Sequence, residues 1–198
     1  MTAQGRPWLA VIDMQHVFAD AASPWSAPRF ADVVEPVTRL VTAFGARTTF
    51  TRFIAPAEPS GAWRSYYADW PFALVAADDP LYRLVPAFAA FADDAVAATT
   101  FGKWDVLADR IGAGDRLDRT DRLVVCGVST DCCVLSTVLA AADAGVEVLV
   151  AADACAGATD ESHRRALDAM SLYAPLVRIV STADVLADLG DQTYRSSP

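Results

Sequence analysis

Six short apolar runs, five of them followed by a helix-length amphipathic stretch, constrain this chain more than any other feature. The runs fall at residues 8–13, 47–53, 95–99, 122–127, 146–151 and 176–180. Helical periodicity covers 30–44, 104–111, 131–144, 160–173 and 182–189. Runs this short, without polar alternation, suit strands buried on both faces, which is the environment of a parallel sheet covered by helices. Repeated strand–helix units therefore predict an α/β fold. Gly145 stands where the third helix must stop before the next strand.

The most informative junction runs from Leu123 to Leu139. Leu123-Val124-Val125-Cys126 reads as a buried strand that breaks at Gly127, and Thr130 or Asp131 is placed to cap the helix that follows. Cys133 then lies in the first helical turn, where unpaired N–H groups and the helix dipole favour negative charge. A thiol there is expected to ionise more readily than a free cysteine, and the thiolate is the nucleophile.

In open α/β sheets ligands gather at the carboxyl ends of the strands, near the point where strand order reverses. If the order is 3-2-1-4-5-6, the first and fourth strands are neighbours. Asp13, which ends the first strand, and Cys133, which follows the fourth, then flank one crevice. Lys103, just after the third strand, lies on the same sheet edge. These groups have complementary chemistry. Cys133 can attack a carbonyl carbon and form a thioester. Asp13 can take the thiol proton and return it to the leaving amine. Lys103 can hold Asp13 and favour the thiolate by charge. The Cys133 N–H, with one from the 127–130 turn, can form an oxyanion hole.

Competing readings apply to each residue. An aspartate after a strand is often a cap or turn former, and a single lysine is usually solvated. Cys126, in mid-strand, reads as inert core, and Cys155 as core that can border the site. Cys132 should point about 100° away from Cys133 around a helix, so only one of them is expected to face the crevice. His163 reads as a residue of an exposed helix, whereas His16 follows the first strand and can border the pocket. Two histidines so far apart make no convincing zinc site.

Residues 54–80 read as irregular, with four prolines and one glycine beside Trp63, Tyr66, Tyr67, Trp70 and Phe72. A long aromatic loop in a compact domain is usually functional. This one can wall a pocket, pack on another subunit, or do both. Phe18, Trp63, Trp70 and Trp104 are candidates for an apolar pocket wall.

The chain has 198 residues, 54% of them hydrophobic, enough for one well-packed domain spanning 1–198 with no visible linker. No apolar run approaches the roughly 20 residues needed to cross a bilayer. Residues 1–7 lack the charge-then-apolar pattern of a signal peptide. A net charge of −9 without a basic stripe argues against nucleic acid and anionic membrane surfaces as partners. Three of the four cysteines crowd one strand–helix unit, which fits a reduced, cytoplasmic protein. Neither nucleotide-binding glycine pattern is present, nor is a Gly-x-Ser-x-Gly elbow.

Read together, these residues resemble the isochorismatase-like cysteine hydrolase family. Gly127-Val128-Ser129-Thr130-Asp131-Cys132-Cys133-Val134 is similar to the family's nucleophile motif, Gly-Val-x-Thr-Asp-x-Cys-Val. Asp13 matches the aspartate of the opening Asp-x-Gln motif, and Lys103 the lysine after the third strand. Ala152-Asp153-Ala154-Cys155 is similar as well. The resemblance implies a six-stranded parallel sheet in a three-layer α/β/α sandwich, usually assembled as a homodimer or homotetramer. It implies an Asp13–Lys103–Cys133 triad and a non-proline cis peptide at Val128-Ser129, which aims the Ser129 and Cys133 amides at one oxyanion.

Departures from the family pattern matter too. Nicotinamidases of the family hold a metal through an aspartate and histidines after the second strand. This chain has Thr51-Arg52-Phe53-Ile54-Ala55-Pro56 there. The expected activity is therefore metal-independent, with no cofactor: hydrolysis of an amide, ureido or carbamoyl C–N bond in a small molecule. Two alternatives stay open. One is an isochorismatase-type vinyl ether hydrolase, which needs only Asp13 as proton donor. The other is a catalytically silent oligomeric binding protein.

Overall fold

In a computed structural model, residues 7–111 and 122–195 are described, with side chains through residue 190. Of residues 1–7, read above for a signal peptide, all but Pro7 lie outside the described residues. Six parallel strands form one sheet in the order 3-2-1-4-5-6: β1 Trp8–Ile12, β2 Thr48–Phe53, β3 Val96–Ala98, β4 Leu123–Val128, β5 Val148–Ala156 and β6 Val177–Val180. The helices are α1 His16–Ala19, α2 Phe30–Phe44, α3 Trp63–Asp69, α4 Trp104–Ile111, α5 Leu135–Asp143, α6 Asp160–Ser171 and α7 Thr182–Arg195. α2 and α7 pack together on one face, while α4, α5 and α6 form a contiguous layer on the other. This is the expected α/β/α sandwich.

Local chemistry explains why these segments adopt these forms. β4 is buried at every position, as a central parallel strand requires. α2 buries Phe30, Val33, Val37, Leu40, Val41 and Phe44, a stripe at helical spacing, and each large side chain removed from water contributes about 1.5–3 kcal/mol. α6 is capped by Thr159, whose hydroxyl accepts from the Ser162 N–H at 2.9 Å, with Asp160 and Glu161 in the first turn to match the helix dipole. Gly145, at φ 87°, follows the end of α5, and its N–H bonds to the Ala142 carbonyl at 2.9 Å.

Three expectations need correction. Residues 54–80 are not wholly irregular, since α3 and short 3₁₀ turns organise them. Their aromatic side chains provide the apolar contacts that hold a helix despite the surrounding prolines. Strand β5 continues to Ala156, beyond the expected end at residue 151. The third helix is not uniform either, because its first turn, Thr130–Val134, is π-helical. Among the described residues no helix is long and apolar enough to cross a membrane.

Candidate active site

The crossover between β1 and β4 creates the site. Gly127 pairs with Ile12 across the two strands at φ 112°. A Cβ at Gly127 would lie 2.1 Å from the Ile12 carbonyl oxygen, so only glycine permits this approach. The next peptide, Val128-Ser129, is cis, as the resemblance implied. The chain then enters the π-helical turn carrying Cys132 and Cys133.

Asp13 leaves β1 at φ 50°, a left-handed conformation that costs a non-glycine residue roughly 1–2 kcal/mol. Thr51 on β2 secures it: the hydroxyl accepts from the Asp13 N–H at 3.2 Å and donates to Oδ1 at 2.6 Å. Gln15 ties down the segment that follows. Its amide donates to the Phe53 and Tyr82 carbonyls at 2.9 and 2.7 Å, and its oxygen accepts from the Phe53 N–H at 2.8 Å. The second carboxylate oxygen of Asp13 faces the Lys103 ammonium at 3.0 Å and has no other hydrogen-bond donor among the described residues. Both side chains of this pair are fully buried.

Lys103 is held from three sides. Its ammonium donates to the Thr100 and Phe101 carbonyls at 2.6 and 2.9 Å and lies 5.2 Å from the Phe53 ring centroid. Its backbone N–H donates to the Thr137 hydroxyl, which in turn donates to the Cys133 carbonyl at 2.6 Å. Thr137 thus links the lysine to the turn bearing the sulfur. Burial pulls the Lys103 pKa down, but Asp13 and Cys133 more than offset this, and the ammonium is held above the ordinary lysine value.

The expectation of an acidic Cys133 is not met. The neighbouring Cys132 sulfur, burial and the Asp13 carboxylate push the Cys133 thiol well up, against the pull of Lys103. The lysine charge is already matched by Asp13 at 3.0 Å, so little net positive field reaches the sulfur. The same contact between the cysteines draws Cys132 below the ordinary value, against burial and Asp131.

Cys132 and Cys133 line one cavity of about 390 Å³ together with Ser129 and Asp131. Both cysteines therefore line the crevice, contrary to the 100° argument, which assumed an α-helix where the turn is π-helical. The rest of its wall is largely aromatic: Phe18, Trp25, Phe53, Tyr66, Trp70 and Phe101. Of the expected wall residues, Phe18 and Trp70 are in place. Trp63 opens on an adjoining depression with Tyr66 and Phe101. Trp104 is buried in the core, and His16, at the start of α1, is not among the lining residues.

Sequence reasoning missed Trp25, Tyr66, Phe53 and Phe101 as wall residues. Tyr66 lay in the aromatic stretch already noted, but nothing local marks Trp25. Asp131 does not cap a helix. Its Oδ1 accepts from the Ser129 hydroxyl at 2.5 Å and the Ala158 N–H at 2.9 Å, tying the turn to the end of β5. His163 is half-buried rather than exposed, with Nδ1 2.8 Å from the Thr130 hydroxyl. Cys126 and Cys155 are core, and burial pushes the Cys155 thiol up to about 12.

A metal of the nicotinamidase kind finds no ligands after β2. Thr51 is committed to Asp13 and the Phe53 N–H to Gln15, and the following Ile54-Ala55-Pro56 has no donor side chain. Among the described residues no cluster of three or more His, Cys, Asp or Glu side chains is placed to hold an ion.

The isochorismatase domain profile matches residues 7–184. No curated protein sequence matches the chain. Among solved structures, a cysteine hydrolase from Pseudomonas syringae pv. phaseolicola is similar at 22% identity and TM-score 0.79, covering 94% of this chain and 93% of that one. An isochorismatase family protein from Desulfovibrio vulgaris is 23% identical, with TM-score 0.74 and coverage of 93% and 99%. The pyrazinamidase of Pyrococcus horikoshii, in complex with zinc, is 25% identical, with TM-score 0.68 and coverage of 88% and 98%.

Proposed function

From the premise that this chain belongs to the isochorismatase family of hydrolases, we propose that it is a metal-independent cysteine hydrolase cleaving a C–N bond of a small amide, ureido or carbamoyl compound. The observation that carries this reading is the buried Asp13–Lys103 pair, whose two charges both act on the Cys133 sulfur at an aromatic cavity. A buried ion pair is a poor source of stability, since desolvation offsets most of its attraction. Its placement beside a thiol suits catalysis better.

The Cys133 thiol gives its proton to Asp13 as sulfur bonds to the substrate carbonyl carbon. Oδ2 of Asp13 suits this role because it has a lone pair with no donor but Lys103. The tetrahedral oxyanion is held by the Ser129 and Cys133 amides. Asp13 then gives the proton to the leaving nitrogen, the C–N bond breaks, and a thioester remains on Cys133. Water, deprotonated by Asp13, attacks the thioester, and the proton returns to the sulfur as the acid departs. Lys103 stays charged throughout and keeps Asp13 in position between proton transfers.

A screen of primary amides, ureido compounds and carbamoyl compounds for ammonia release tests this reading. Wild-type protein releases ammonia and Cys133→Ala does not. Full activity in Cys133→Ala, with Asp13→Ala inactive, would instead favour vinyl ether hydrolysis by acid catalysis.

A further inference from the structure

The cavity lining carries information about the substrate that the catalytic groups do not. Among the described residues, its walls hold six aromatic side chains and one carboxylate, Asp131, but no lysine, arginine or histidine. Lys103, the nearby cation, is already matched by Asp13. Resting on the hydrolase reading above, we propose that the substrate's acyl portion is bulky, apolar and free of negative charge, and that Trp25 sets this preference.

Three observations converge. A space of about 390 Å³ lies within the roughly 300–1,000 Å³ typical of small-molecule sites, far more than a two-carbon amide fills. A ligand that leaves water against the rings forgoes the remote binding energy that can be used at the reacting centre. Secondly, the ring faces carry negative quadrupole potential, and Asp131 adds a full negative charge. A substrate carboxylate entering here would lose its hydration and find no cation to replace it. The Asp131 oxygen Oδ1 is already occupied by Ser129 and Ala158, so it is fixed in place. Burial also pushes the Tyr66 phenol well up, so that wall presents a neutral hydroxyl.

Trp25 is the centre of the aromatic wall. Its ring centroid lies 5.6 Å from Phe53, 6.0 Å from Tyr66 and 6.1 Å from Trp70, and 6.4 Å from Phe18 in a stacked arrangement. It comes from the 20–29 segment between α1 and α2, while Phe53 ends β2 and Tyr66 lies on α3. One ring therefore joins three separate pieces of chain into a continuous apolar surface.

Calorimetry on the Cys133→Ala protein separates binding from turnover. The probes are 2-naphthamide, 6-carboxy-2-naphthamide and acetamide. We expect 2-naphthamide to bind at least about 30-fold more tightly than its carboxylated analogue, with acetamide weaker still. Adding Trp25→Ala should weaken 2-naphthamide at least about 10-fold. Trp25→Phe, which keeps a ring and guards against a folding defect, should recover most of that loss. Equal affinity for the carboxylated probe, no binding of 2-naphthamide, or no effect of Trp25→Ala would overturn the proposal. Selective binding of 2-naphthamide, with none of the amide, ureido or carbamoyl compounds of the screen hydrolysed by wild-type protein, would sink the hydrolase reading and leave this one standing. Ammonia release from acetamide and carboxylated amides, independent of Trp25, would do the reverse.

Discussion

Lys103 reaches Asp13 at 3.0 Å, and neither side chain touches solvent. Removing one partner of such a pair leaves the other charge buried without compensation, which costs about 3–5 kcal/mol. Lys103→Met should therefore lower the urea midpoint sharply and abolish activity. The double variant Lys103→Met/Asp13→Asn should recover much of the stability and none of the activity. If Lys103→Met is as stable as wild type, the pair is not held as described.

The close approach of β1 and β4 predicts a second effect. At Gly127 a methyl group would overlap the Ile12 carbonyl, and the φ of 112° is itself strained for any other residue. Gly127→Ala should destabilise the protein by about 3 kcal/mol or more, among the larger effects of a single substitution. Denaturant unfolding with circular dichroism measures it. A change below about 1 kcal/mol would mean that the two strands are further apart.

The two thiols should titrate on opposite sides of the free-cysteine value. Cys133, pushed up by Cys132, burial and Asp13, should react with iodoacetamide ever faster as pH rises beyond the free-cysteine value of 9.0. Cys132 should reach its plateau below that value. Peptide mass spectrometry follows each cysteine separately. A Cys133 that plateaus at neutral pH would restore the thiolate expected from the helix terminus.

His163 gives a stability prediction. Burial holds its pKa below 6.5; Asp160 and Asp131 pull up, while Arg29 pushes down. In this window the unfolded chain binds more protons at His163 than the folded chain does. Stability is therefore full above the ordinary histidine value and is lost as pH falls through the folded one. His163→Gln, which can still reach Thr130, should flatten that acid-side loss in thermal melts recorded between pH 7 and pH 5. An unchanged slope would assign the loss to other groups.

Much of this arrangement was legible in the chain because its signals are local. Apolar runs and helical stripes place the strands and the bounds of α2 and α4, and Gly127 with Asp13, Lys103 and Cys133 marks one sheet edge. What escaped is what long-range packing decides. Trp25 became a wall residue only because residues 20–29 fold against α3 and β2, and Trp104, which looked equivalent, turned into the core. The Cys133 pKa escaped for a related reason. A helix-terminus argument counts the dipole of one element, whereas the field at the sulfur also includes a carboxylate from β1 and a second sulfur beside it.

Intact-mass spectrometry of the protein quenched in acid during turnover of an active amide tests the central claim most directly. The account predicts an adduct equal in mass to the acyl group, mapped to Cys133, labile to hydroxylamine and lost in Cys133→Ala. Steady turnover with no such adduct, in a Cys133→Ala protein that remains fully active, would contradict it.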